Sequence, residues 1–234
     1  LTGSGATDTI LVPNAVNTIT ITAANAGTAN GTFSFSAVEN ITGGSMADTF
    51  VFADHATMSG TLNGNGGTDT LDYRAYTTNL NINLSTGIAA AGGVSTTVSN
   101  IENIVSGQAN DVITGDGGDN VLTDVGGTDI FDGGLGNDTY VFLPNWGNGD
   151  VVTGAGGIDW MDFSNISDNL VFDLTNTGIA VSYGSNSVTS AGYIVENLVA
   201  RSGADQFNIT GNAVVNLFGN GGNDSFNFNG SGCL

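Results

Sequence analysis

Glycine and acid recur together along this 234-residue chain in a pattern suited to holding a hard cation. The stretch FDGGLGNDTY, residues 131–140, sets Gly133, Gly134 and Gly136 between two aromatics and closes on Asn137 and Asp138. Glycine permits a bend with positive φ, or with carbonyls crowded to one side, and the carboxylate that follows supplies charge. Oxygen donors of this kind suit Ca2+, which accepts about six to eight ligands in flexible geometry, whereas Mg2+ demands a tighter octahedron. Zinc would require a cluster of histidine and cysteine, and the chain has one of each.

The bend is not isolated. Written as U-x-G-G-x-G-N-D-x-U, with U apolar, it matches LTGSGATDTI (1–10), ITGGSMADTF (41–50), LNGNGGTDTL (62–71), IVSGQANDVI (104–113) and ITGDGGDNVL (113–122). It matches again at LTDVGGTDIF (122–131), VTGAGGIDWM (152–161), LVARSGADQF (198–207) and LFGNGGNDSF (217–226). From 104 to 140 the copies run in tandem, with the acid position at 111, 120, 129 and 138; at 120 the residue is asparagine and Asp119 stands one place earlier. A longer unit is superimposed: Asp8, Glu39, Asp48; then Asp69, Glu102, Asp111; then Asp159, Glu196, Asp205, with Glu and the following Asp always nine apart. This divides the chain into units 1–68, 69–158 and 159–234 of a single elongated solenoid, whose insertions come in whole nonapeptides.

A nonapeptide fits a turn of about six residues and a strand of about three whose middle apolar side chain points inward, so that two nonapeptides make one coil. Residues 18 apart then stack at the strand spacing of roughly 4.8 Å, Asp111 on Asp129 and the Asp119/Asn120 pair on Asp138. Two carboxylates at that distance repel by roughly 3.5 kcal/mol at an effective dielectric of 20. A divalent ion between adjacent turns reverses the sign, so several Ca2+ ions are the expected cofactor. Stretches such as TLDYRAYTTNLNINLSTGIAAAGG (70–93) read as strand, bend, strand. The expected fold is all-β, a parallel β-roll with nonapeptide turns and longer β-helical excursions.

The pattern resembles the glycine- and aspartate-rich nonapeptide of the repeats-in-toxin (RTX, hemolysin-type) calcium-binding family, and its long units, with GGTDTLDY, IENI and NDTYVF, resemble those of large bacterial surface and adhesin-like proteins. The resemblance implies a right-handed parallel β-roll, export by a type I system, and folding on Ca2+ outside the cell. It places Asp69, Asp111, Asp129, Asp138, Asp159 and Asp224 as carboxylate ligands, with Asp8 and Asp119 joining them from their slots in the repeat. Gly64, Gly67, Gly115, Gly118, Gly133, Gly134, Gly136, Gly154, Gly157, Gly219 and Gly222 take the loop positions. Glycines are lost in VARSGAD and GGSMAD, which leaves Asp205 and Asp48 outside the ligand set.

Composition narrows the function. Acids outnumber bases 22 to 2, for a formal net charge of -20, so nucleic acid and anionic membrane surfaces are poor partners. One cysteine, Cys233, excludes an intrachain disulfide, and no apolar run approaches the roughly 18 residues of a membrane span. An enzyme on a parallel β-helix, such as a polysaccharide lyase or epimerase, needs a base and a charge-neutralising group in one groove. Arg74, Arg201 and His55 are all the chain offers, so the expectation is a non-enzyme, with an ice-binding or ligand-binding face as a further alternative. Glu39, Glu102 and Glu196 read as outward, solvated residues, with the asparagine after each bonding up the stack. Asp72 and Asp162 read as strand-edge residues, the threonines of NTITIT (17–22) as plain strand, His55 as a loop residue and Trp146 as a cap on the core. The chain reads as an excerpt of a longer array, secreted or at a bacterial cell surface, with calcium as partner and head-to-tail packing or a surface lattice of copies as a second kind of contact.

Overall fold

The computed structural model describes residues 1–154, 156–192, 194–210 and 214–229. Cys233 lies outside the described residues. Among them there is no helix, and the backbone divides into two compact units, Leu1–Asp116 and Gly117–Leu234.

The first unit contains β1 (Thr9–Leu11), β2 (Asn17–Ala23), β3 (Ala26–Ala29), β4 (Phe33–Phe35), β5 (Asn40–Thr42), β6 (Asp48–Phe52) and β7 (Thr61–Asn63). It continues with β8 (Thr70–Asp72), β9 (Asn81–Asn83), β10 (Ile88–Ala91), β11 (Val94–Ser99), β12 (Asn103–Val105) and β13 (Val112–Asp116). Its strands lie in two sheets, in the orders β1-β5-β7-β11-β10-β9-β13 and β12-β8-β6-β2-β3-β4. The second unit contains β14 (Val121–Asp124), β15 (Ile130–Gly134), β16 (Thr139–Phe142), β17 (Asn148–Thr153), β18 (Trp160–Asp162) and β19 (Val171–Thr175). It ends with β20 (Gly178–Tyr183), β21 (Asn186–Ala191), β22 (Asn197–Val199), β23 (Gln206–Ile209), β24 (Asn216–Phe218) and β25 (Ser225–Phe228). There the orders are β15-β17-β21-β20-β19-β23-β25 and β24-β22-β18-β16-β14. Outside three antiparallel inserts, successive strands of the chain alternate between the sheets and pair in parallel with the coil before, which makes each unit a β-solenoid.

The short strands follow from their composition. Threonine, valine and aromatic residues favour the pleated backbone, and in a three-residue strand only the central side chain faces inward. In the first unit Ile19, Phe50, Leu71 and Ile104 are in register and buried. In the second, Leu122, Tyr140, Met161 and Leu198 form the matching column. Phe172, Phe207 and Phe226 stack with ring centroids 4.5 and 4.7 Å apart, the strand spacing itself. Trp146 is buried edge-on to Phe142 and Phe163, which makes it part of the core.

The register of 18 expected for two nonapeptides occurs between β14 and β16, where Val121 pairs with Thr139. In other pairs the coil is longer, 21 residues for Thr49 with Thr70 and for Thr139 with Trp160. The long excursions are three-stranded antiparallel inserts: β9-β10-β11 in the first unit and β19-β20-β21 in the second, with β2-β3-β4 at a sheet edge. A parallel solenoid absorbs such an insert because its first and third strands run in the same direction, so the flanking coils keep their parallel pairing.

Candidate metal centre

The repeat acids are placed where one strand begins in each coil, and they are buried. Asp48, Asp69, Asp111, Asp129, Asp138, Asp150, Asp159 and Asp205 are each at most 1% exposed. Asp8 and Asp224 are half-buried. Asp119 is exposed on the loop, its Oδ1 accepting the Asn137 N–H at 2.7 Å, while Asn120 takes the buried slot.

Each unit carries these acids as two columns, one along the strand starts of each sheet, and the link between coils is a backbone amide. In the first unit Asn17 N–H donates to Asp48 Oδ1 (2.9 Å) and Asp48 N–H to Asp69 Oδ1 (2.7 Å), while on the other sheet Leu80 N–H donates to Asp111 Oδ1 (2.8 Å). In the second unit Asn120 N–H donates to Asp138 Oδ1 (2.9 Å) and Asp138 N–H to Asp159 Oδ1 (2.8 Å). On its other sheet Asp129 N–H donates to Asp150 Oδ1 (2.8 Å), Leu170 N–H to Asp205 Oδ1 (2.8 Å) and Asp205 N–H to Asp224 Oδ1 (3.1 Å). A charge-assisted amide bond therefore lies between successive carboxylates, and repulsion along the column is met in part by backbone dipoles. The point-charge picture drawn from spacing alone left this bond out.

The second oxygen turns back over its own bend. Oδ2 of Asp8, Asp48 and Asp111 accepts the N–H of Ser4 (2.6 Å), Gly44 (2.6 Å) and Gly107 (2.7 Å). Oδ2 of Asp69 and Asp205 is buried with no hydrogen-bond donor. The glycine five places earlier lies directly beneath: a Cβ on Gly64, Gly133 or Gly219 would overlap Oδ2 of Asp69, Asp138 or Asp224. In the coil 122–131 that slot holds Asp124, buried and in hydrogen-bond contact with the Asp150 carboxyl.

Other glycines nest the bends. Gly67, Gly136, Gly157 and Gly222 have φ of 124, 108, 126 and 118°, and a Cβ on any of them would strike backbone of the preceding coil. The obstacle is the carbonyl of Gly118 under Gly136, of Gly136 under Gly157 and of Gly203 under Gly222. Gly134, also left-handed at φ 93°, donates its N–H to Asp132 Oδ1. Gly115 accepts the Ser85 N–H at 3.1 Å, and Gly154 is half-buried near Asp159 and Tyr140.

Every metal-ligating atom these bends offer is a hard oxygen, carboxylate or carbonyl, and Oδ2 of Asp69 and of Asp205 is buried without a hydrogen-bond donor. That fits Ca2+. Among the described residues no three side chains of His, Cys, Asp or Glu converge on a metal position. An ion held here would therefore draw on few carboxylates and on loop carbonyls. Burial pushes Asp69 up to about 6, with Glu102 and Asp48 adding to the rise, and pushes Asp111 to about 6 against the pull of two amides. Burial raises Asp150, Asp159 and Asp205 as well. Ionised, these groups are costly in a chain whose acids outnumber its bases 22 to 2.

Sequence reasoning placed Asp48 and Asp205 in the repeat but outside the ligand set, and did not single out Asp150 or Asp124. Asp48, Asp150 and Asp205 occupy column positions identical in kind to the rest, and the signal is their place two residues before an inward-facing one, Phe50, Val152 and Phe207. Glu39, Glu102 and Glu196 are half-buried, and each carboxylate accepts a backbone amide. The outward, solvated reading is corrected. Asp72 holds Arg74 at 2.8 Å at the end of β8, Asp162 ends β18, and His55 is an exposed loop residue at φ 60°.

No curated protein matches the chain. Residues 60–146 match the family model described as Peptidase M10 serralysin C terminal. The matched part of that family is the non-catalytic calcium-binding region. Over that stretch the chain is similar to the serralysin C-terminal region, consistent with the RTX nonapeptide pattern read from the sequence.

Proposed function

We propose that the chain is a non-enzymatic structural segment, a spacer or assembly element of a secreted or cell-surface bacterial protein, that folds as several Ca2+ ions bind outside the cell. One observation carries the reading: buried repeat carboxylates, with Oδ2 of Asp69 and Asp205 lacking any donor, lie against glycine bends whose neighbours expose carbonyl oxygen. Asp69, Asp111, Asp129, Asp138, Asp159 and Asp224 would supply carboxylate oxygen, with Asp8 and Asp119 at the more open bends. The glycine loops at 64–67, 115–118, 133–136, 154–157 and 219–222 would supply carbonyls. The ion would neutralise carboxylates that burial otherwise penalises, so binding energy becomes folding energy.

At neutral pH and cytosolic calcium such a chain is loosely collapsed; at millimolar calcium it is ordered. Each site filled at a hundred times its Kd adds about 2.7 kcal/mol. The test is circular dichroism at pH 7 with and without EGTA, together with metal analysis. Strand signal is expected to vanish with the chelator and return with millimolar Ca2+ but not with equal Mg2+. A strand signal indifferent to EGTA in metal-free protein would overturn the proposal.

A further inference from the structure

Three times the chain leaves its coil for an excursion, and each time it returns on a Glu-Asn step: Glu39-Asn40, Glu102-Asn103 and Glu196-Asn197. In all three the glutamate reaches back to the aspartate of the preceding coil. Oε2 of Glu39, Glu102 and Glu196 accepts the N–H of Asp8 (3.0 Å), Asp69 (2.7 Å) and Asp159 (2.8 Å). The opposite side of the same residue is held too. Asp69 C=O accepts both Glu102 N–H (3.1 Å) and Asn103 N–H (2.9 Å), Asp159 C=O accepts Glu196 N–H (3.1 Å) and Asn197 N–H (3.0 Å), and Asp8 C=O accepts Asn40 N–H (3.0 Å).

The local sequence explains why glutamate stands here. The bends before these steps lack the glycine five residues ahead of the acid that lets an aspartate fold back over its own loop. Val38, Ile101 and Val195 are buried immediately before the glutamates, and Ile41, Ile104 and Leu198 are buried two places after them. The backbone is pinned by these apolar anchors, and the additional methylene carries the carboxylate across to the amide. The asparagine then ties the coil to its neighbours: Asn40 Oδ1 accepts the Thr61 N–H at 2.9 Å, and Asn197 Oδ1 accepts the Asn216 side-chain amide at 2.9 Å.

We propose that the Glu-Asn step is a re-entry clamp: Glu39, Glu102 and Glu196 are positioning residues that set the register of the coil after an excursion by accepting an aspartate amide, and they are not calcium ligands. The clamp needs an acceptor, not a charge, and this separates it from metal ligation. Glu102→Gln keeps an acceptor oxygen at the same reach; Glu102→Ala removes it. In the full chain with saturating Ca2+, E102Q is expected to leave calcium stoichiometry and affinity unchanged and the Asp69 amide as slow to exchange with deuterium as in the parent. E102A is expected to speed exchange at Asp69 by roughly tenfold or more, the loss of one buried hydrogen bond. Loss of a calcium ion or a matching loss of affinity in E102Q would make the glutamate a ligand and overturn the proposal, as would an unaltered Asp69 amide in E102A. Should E102A not fold, E102Q alone decides between ligand and clamp.

Discussion

Acidifying the calcium-free protein from pH 7 to pH 5 should raise its stability, and acidifying the calcium-loaded protein over the same range should lower it. Asp69 and Asp111 sit at about 6 in the folded state against 3.8 in the unfolded chain, and burial raises Asp150, Asp159 and Asp205 in the same direction. For such groups the folded state binds more protons than the unfolded state between roughly pH 4 and 6, so stability falls as pH rises through that window. The stabilisation is complete below about 3.8 and gone above about 6. With calcium bound the proton competes with the ion, and the slope changes sign. Comparing the strand circular dichroism of resin-stripped protein at pH 7 and 5, above the pI of about 4.1, reads the gain in folded fraction and avoids precipitation at zero net charge. A calcium-free strand signal that stays level or drops on acidification would show that the columns carry no strained charge.

The second large effect concerns shape. Gly157→Ala should destabilise the calcium-bound protein by on the order of 3 kcal/mol, while Gly117→Ala should change stability by about 0.5 kcal/mol or less. Gly157 has φ 126°, which alanine resists, and its new methyl would overlap the Gly136 carbonyl. Nothing lies within 4 Å of a Cβ on Gly117. Denaturant unfolding of the two variants side by side is the measurement. Equal midpoints would mean that the bends are not nested as described.

These comparisons show what was legible in the sequence. The coil period was, because the inward residue must recur at a fixed interval; Asn120 over Asp138 lies at the expected offset of 18. The all-β class, the core position of Trp146 and the strand-edge place of Asp72 were legible too. The antiparallel course of β9-β10-β11 showed only as strand, bend, strand, since alternation says nothing about which neighbour a strand pairs with. Glycine content proved a poor guide to membership of the acid columns. Asp48 and Asp205 stand in degraded bends yet accept the same amide as Asp138, because the acceptor geometry depends on where the strand begins and not on how the preceding loop turns. Glycine is essential only where a carbonyl or a carboxylate occupies the space of a Cβ, as beneath Gly133 and Gly157. The glutamates were misread for a related reason: their burial is set by Val38, Ile101 and Val195, which pull the step inward.

The ladder of amide bonds also has an arrow. In every column bond described above, an acid later in the chain serves an amide earlier in it. Shortening a unit from its C-terminal side therefore strips an acceptor and strands a buried N–H, at about 1–3 kcal/mol, whereas shortening it from its N-terminal side merely returns a carboxylate to water. Unravelling is unidirectional by construction, and nested deletions compared by hydrogen exchange should fray the trailing edge of a unit before its leading edge.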